Sequence, residues 1–99
     1  MGDVVLGKEG WLTKFAAEIK AQKLWFFIEC GVLLYSSSET KVDIIGRIEL
    51  KGCKVNEDPE NRIRFELVAE DRTYNLYASN EEEMKSWVEA LRSEIEKRS

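Results

Sequence analysis

In the stretch Lys23-Leu24-Trp25-Phe26-Phe27 a charge opens a run of four large apolar residues. A strand sends alternate side chains to opposite faces, so Leu24, Phe26 and Ile28 would share one face and Lys23, Trp25 and Phe27 the other. The first face can be core. The second sets an indole beside an ammonium, and an indole carries one hydrogen-bond donor and no charge. That is the chemistry of contact, not of proton or acyl transfer. Phe15 raises the same question at the end of an earlier alternating stretch. Three roles fit this pair: packing against loop aliphatics such as Ile19, wedging into a lipid interface where Trp is enriched, or acting as a protein-contact hot spot.

The groups that are missing narrow the field. There is no histidine, no nucleophile beside a base and no Gly-rich phosphate loop, so no catalytic reading has support. Cys30 and Cys53 have no nearby ligand partners, which argues against a zinc site, and no cofactor is implied. Both read as small buried or turn residues, reduced and cytoplasmic.

The 99 residues suit one domain over 1–99, and 43% hydrophobic with 34% charged residues is ordinary for a globular chain. The longest apolar run, Leu24 to Ile28, is far too short to cross a membrane. The opening MGDVV has no basic segment before an apolar one, so no signal peptide is expected. Gly2 is followed by Leu6 where a myristoylation signal needs Ser or Thr. Residues 1–56 carry eight Lys/Arg against seven Asp/Glu, whereas 57–99 carry seven against twelve. A mildly basic front and an acidic rear could orient the domain against an anionic surface. Without a dense Lys/Arg stripe, nucleic-acid binding is disfavoured.

The elements that must position these residues are short strands. GWLTKF (10–15), QKLWFFIE (22–29), VLLYS (32–36), IIGRIEL (44–50), CKVN (53–56), RIRFELV (62–68) and RTYNLYA (72–78) alternate or are β-rich. Cys30-Gly31 and NEDPEN (56–61) read as turns, and SSSETK (36–41) as a polar loop. One helix follows over about 80–97. Ser79 with Glu82 predicts its capping box, and Glu81, Glu82 and Glu83 suit the first turn. Met84, Trp87, Val88, Leu91 and Ile95 form one apolar stripe. The expected fold is mainly β: a bent seven-stranded antiparallel sandwich or partial barrel capped by one C-terminal helix.

KEGWL at 8–12, the pattern GxIxLxGCxV at 46–55 and Trp87 in the helix together resemble the pleckstrin homology (PH) domain over nearly the whole chain. The opening MGDVVLGKEGWLTKFAAEIKAQKLWFF and DRTYNLY at 71–77 resemble the N-terminal PH domain of protein kinase B (Akt)-like kinases. The resemblance implies a pocket for phosphoinositide headgroups between the first two strands and their loop. Its motif is a lysine ending the first strand, then basic-any-basic on the second. Lys14 and Lys23 fit, and Arg72 fits a basic residue at the pocket edge. Arg47 and Lys51 are further basic candidates, and Tyr35 fits either pocket or core. Trp25 stands where the arginine of the second strand is implied, and Phe15 where such kinases are also basic.

The implied function is recruitment of a parent signalling protein, a Ser/Thr kinase, to membranes. Phosphoinositides or an anionic surface would be bound by Lys14, Lys23 and Arg72, with Phe15 and Trp25 touching lipid or a partner. The domain itself is expected to be a non-catalytic monomer, cytoplasmic and peripheral at the membrane. The alternative is a protein-interaction domain that has lost lipid recognition and uses the Phe15/Trp25 surface.

Overall fold

The computed structural model describes residues 8–15 and 21–98. Gly2, Leu6 and the loop residues Ala16, Ala17, Glu18, Ile19 and Lys20, on which some expectations rested, lie outside them. Seven strands precede one helix: β1 (Glu9–Phe15), β2 (Gln22–Glu29), β3 (Val32–Ser36), β4 (Ile44–Glu49), β5 (Lys54–Glu57), β6 (Arg64–Val68), β7 (Thr73–Tyr77) and α1 (Glu81–Arg98).

The strands form one antiparallel sheet in the order β4-β3-β2-β1-β7-β6-β5. β1 therefore sits mid-sheet, with Leu12 opposite Leu24 on one side and Thr13 opposite Tyr77 on the other. Leu12, Phe26 and Leu33 from the first half meet Val55, Phe65, Leu67 and Leu76 from the second in one buried cluster. Inner faces at both ends of a single sheet can share one core only if the sheet bends over it. β4 and β5 remain as its two edges, so the barrel is open, as the alternation predicts.

The helix closes the core with Met84, Trp87, Val88 and Leu91, all buried. It lies at the end where β1 begins: a Cβ on Gly10 would be 3.8 Å from Trp87 Nε1, and Lys8 Nζ donates to Glu83 Oε1 at 2.9 Å. Truncating a fully buried Trp to Ala typically costs about 3–5 kcal/mol.

The helix begins one residue later than the expected Ser79 cap. Asn80 Oδ1 accepts the Glu83 N–H at 2.8 Å, and its carbonyl accepts from Met84 N at 3.0 Å. The chain is still held beside the sheet at Ala78, whose N–H donates to Ile63 O at 2.8 Å, and Asn caps as well as Ser. Two strands also start late. Cys53 N donates to Leu50 O in a turn, so β5 begins at Lys54 rather than Cys53. Arg64 N bonds Asn61 O, so β6 begins at Arg64 rather than Arg62. Cys30 and Gly31 have φ of 48° and 79°, the left-handed pair that a two-residue hairpin turn demands.

Candidate functional site

Strand alternation decides what each charged residue meets. Leu12 faces the core, so Lys14 faces the same way, past the point where β1 has neighbours to bury. Its ammonium rests 5.4 Å from the centroid of the Tyr35 ring. Tyr35 packs on Phe26 at 5.1 Å and lies across Gly46, its partner on β4, where any Cβ would overlap the phenol ring. On β7, Tyr74 is two residues from the buried Leu76 and shares its inner face. The Arg72 guanidinium sits 5.6 Å from the Tyr74 ring. Burial pushes the Tyr74 phenol up, while Arg72 pulls the other way and nearby Tyr35 adds to the rise. Two phenol rings with a cation over each thus rim the open mouth of the barrel. Cation over aromatic ring is worth about 0.5–1 kcal/mol at exposed sites.

A cavity of about 240 Å³ opens beside Tyr74, lined also by Arg47, Glu49, Lys51, Glu70 and Asp71. Arg47 is paired with Glu49 at 3.2 Å. Glu70 and Asp71 face Lys51 across the same space, so this cavity has no cationic excess. Among the described residues neither Lys14 nor Arg72 is in an ion pair, so an anion would find its positive charge there.

The outer face is laced differently. Lys23 lies opposite Thr13, and its ammonium sits 5.4 Å from the Trp11 ring centroid. Trp25 pairs with Trp11 edge to face, centroids 5.2 Å apart at 83°. Its Nε1 donates to Glu9 Oε1 at 2.9 Å, and Lys41 Nζ reaches the same carboxylate at 3.0 Å. Lys41 and then Trp25 hold the Glu9 carboxyl below its ordinary value. Phe15, 41% exposed, leans on Tyr77 at 4.9 Å.

The five residues singled out by sequence are therefore divided. Lys14 and Arg72 converge on the mouth, whereas Lys23, Trp25 and Phe15 lie on the opposite face of the sheet. The β2 residues that share the face of Lys14 are Gln22, directly opposite it, and buried Leu24. A basic-any-basic pair reaching this mouth from β2 would stand at 22 and 24, where the chain has Gln and Leu. Sequence reasoning overlooked Gln22 and Tyr74; counting alternation outward from Leu12 and Phe26 finds the first, and from Leu76 the second. Among the described residues no cluster of His, Cys, Asp or Glu is arranged to hold a metal ion.

The sequence model of the PH domain family matches residues 6–96. Human Rho GTPase-activating protein 24 is 32% identical over 103 aligned positions, covering 89% of this chain and 14% of that protein. The chain spans about a fifth or less of the curated relatives it matches, at 21%, 11% and 14% of their lengths. The C-terminal PH domain of pleckstrin superposes with a TM-score of 0.80 at 27% identity, covering 93% of this chain and 99% of that one. A second structure of that domain, in complex with D-myo-Ins(1,2,3,4,5)P5, matches with a TM-score of 0.75 at 28% identity over 87% of this chain and 94% of that one. One bent seven-stranded sheet closed by a C-terminal helix, together with a family match over nearly its whole length, makes this chain a non-catalytic member of the PH domain family.

Proposed function

We propose that the domain recruits the signalling protein that carries it to anionic membranes, taking a phosphorylated headgroup at the mouth through Lys14 and Arg72. The observation that carries this reading is their placement over Tyr35 and Tyr74, two rings of the same inner face. Each phosphate carries about −1.5 to −2 charge near neutral pH, and charge-assisted hydrogen bonds from Lys and Arg are the interactions that hold it. Lys23 approaches the same strand ends from the outer face and adds a cation toward the bilayer, beside Phe15 and Trp25. The inositol phosphate in the pleckstrin structure supports the ligand class. With Gln22 and Leu24 on β2, binding is modest, and the domain acts as a monomer at the cytoplasmic face. The resemblance of the first two strands to protein kinase B-like kinases favours a Ser/Thr kinase as parent.

Sedimentation with neutral vesicles, with and without a few per cent of each phosphoinositide, tests this at low and near-physiological salt. Headgroup-dependent binding should fall about ten- to a hundredfold in Lys14→Ala and in Arg72→Ala, the worth of a hydrogen bond to a charged group. Lys23→Ala should weaken all anionic vesicles by less. Unchanged affinity in Lys14→Ala and Arg72→Ala would overturn the site.

The laced Trp11/Trp25 surface favours a second reading, a protein-interaction domain without specific lipid recognition. Trp25→Ala would then remove the complex and leave vesicle binding unaltered.

A further inference from the structure

The segment Val42-Asp43-Ile44-Ile45 leaves three β-branched residues in solvent, exposed by 82%, 47% and 50% at Val42, Ile44 and Ile45. Single exposed apolar residues are ordinary on a protein surface; three within four positions are a patch that calls for a partner. We infer that this patch is a lipid-inserting rim, entering the acyl boundary of a bilayer beside the cationic mouth. The inference rests on the membrane reading above and deepens it.

Its position supports that occupant. Ile44 pairs with Ser36, the residue after Tyr35, and Lys14 stands over the Tyr35 ring. Apolar residues and a cation thus share one rim, the combination that holds peripheral proteins at anionic bilayers. The rim is also held ready. Lys41, at φ 61°, donates its N–H to Ser38 O, and Ser36 Oγ donates to the same carbonyl at 2.6 Å. The Lys41 ammonium is tied to Glu9. Val42 therefore projects from an anchored turn, and little ordering remains to oppose insertion. The one acid in the segment, Asp43, is turned back to accept from Ser37 Oγ at 3.3 Å.

A second copy pairing along β4 fits less well. A bulge at Tyr35/Ser36 breaks the ladder opposite Ile44, and Arg47 and Glu49 charge the rest of the strand; both features blunt an edge.

The test places an environment-sensitive fluorophore on Val42→Cys in a Cys30→Ser background and adds vesicles with and without phosphoinositide. A blue shift on vesicle addition is expected. The unlabelled double variant Val42→Ser/Ile45→Ser should lose about ten- to a hundredfold in vesicle affinity, most visibly at high salt where the electrostatic contribution is screened. Vesicle binding with no shift at position 42 overturns the rim and leaves the headgroup reading standing. A shift that is the same on neutral vesicles keeps the rim and overturns the headgroup reading. No binding to any vesicle overturns both. Dimers in sedimentation that disappear in the double variant would assign the patch to a second copy instead.

Discussion

Gln22 stands directly opposite Lys14 on the inner face, and its exposed side chain leaves room for a longer one. Gln22→Arg should therefore raise phosphoinositide affinity by about one to two decades in vesicle sedimentation, the worth of one charge-assisted bond. Trp25→Arg should not, because its side chain leaves from the other face; a gain there and none at Gln22 would overturn the facial assignment. Gly46 carries a second residue-scale prediction. Its missing Cβ is the space the Tyr35 ring fills, so Gly46→Ala should destabilise by about 1–3 kcal/mol, read from urea unfolding. In a Tyr35→Ala background the same change should cost far less, since the overlap is gone. At this scale Lys14 entered from the resemblance, and its role as a headgroup ligand stands as a proposal. The alternation named the right core face of β2, with Leu24, Phe26 and Ile28 inward, but the resemblance carried Lys23 into the pocket of Lys14 although that parity sets Lys23 and Trp25 on the other face. Phe27, on the outer parity, is only 6% exposed because Lys41 lies over its ring at 4.9 Å, a contact across a loop that no local pattern announces.

Seven strands and a helix were legible as elements, because inward residues alternate along stretches such as β6 and recur at three and four in α1. Their ends were less so, since ends are fixed by single hydrogen bonds that reach across the sheet. The helix start is the clearest instance. Ser79 and Asn80 are both good caps, and the Ala78–Ile63 bond selects the second by holding the chain extended one residue further. Asn80→Ala should lower stability by about 1 kcal/mol in thermal unfolding, and Ser79→Ala by much less. The two sheet edges are guarded by different means. β4 has its bulge and charges, whereas Val55 on β5 has its carbonyl occupied by Arg92 Nη2 at 2.8 Å.

Across the whole molecule charge is laid out lengthwise. The acidic helix caps the end where β1 begins, and Lys14 and Arg72 rim the end where β1 finishes. The helix carries six acids against four bases, so half of the net charge of −4 lies away from that mouth. Neutralising Glu82 and Glu89 to Gln should strengthen vesicle binding roughly twofold near 10 mM salt, where the Debye length is about 30 Å. At physiological salt, with screening over about 8 Å, the two proteins should bind alike; a difference that persists would mean the helix itself meets the bilayer. The position of β1 mid-sheet has a consequence in time rather than in space. Among the described strands β1 is made first and is joined by β2 almost at once, but its other partner, β7, is made after all the others, with Thr13 waiting for Tyr77. At about 5–20 residues per second that wait lasts several seconds, during which one side of β1 is an open strand edge in a half-made domain. The sheet cannot be completed until β7 has been made, so this domain is committed to folding as a single late event.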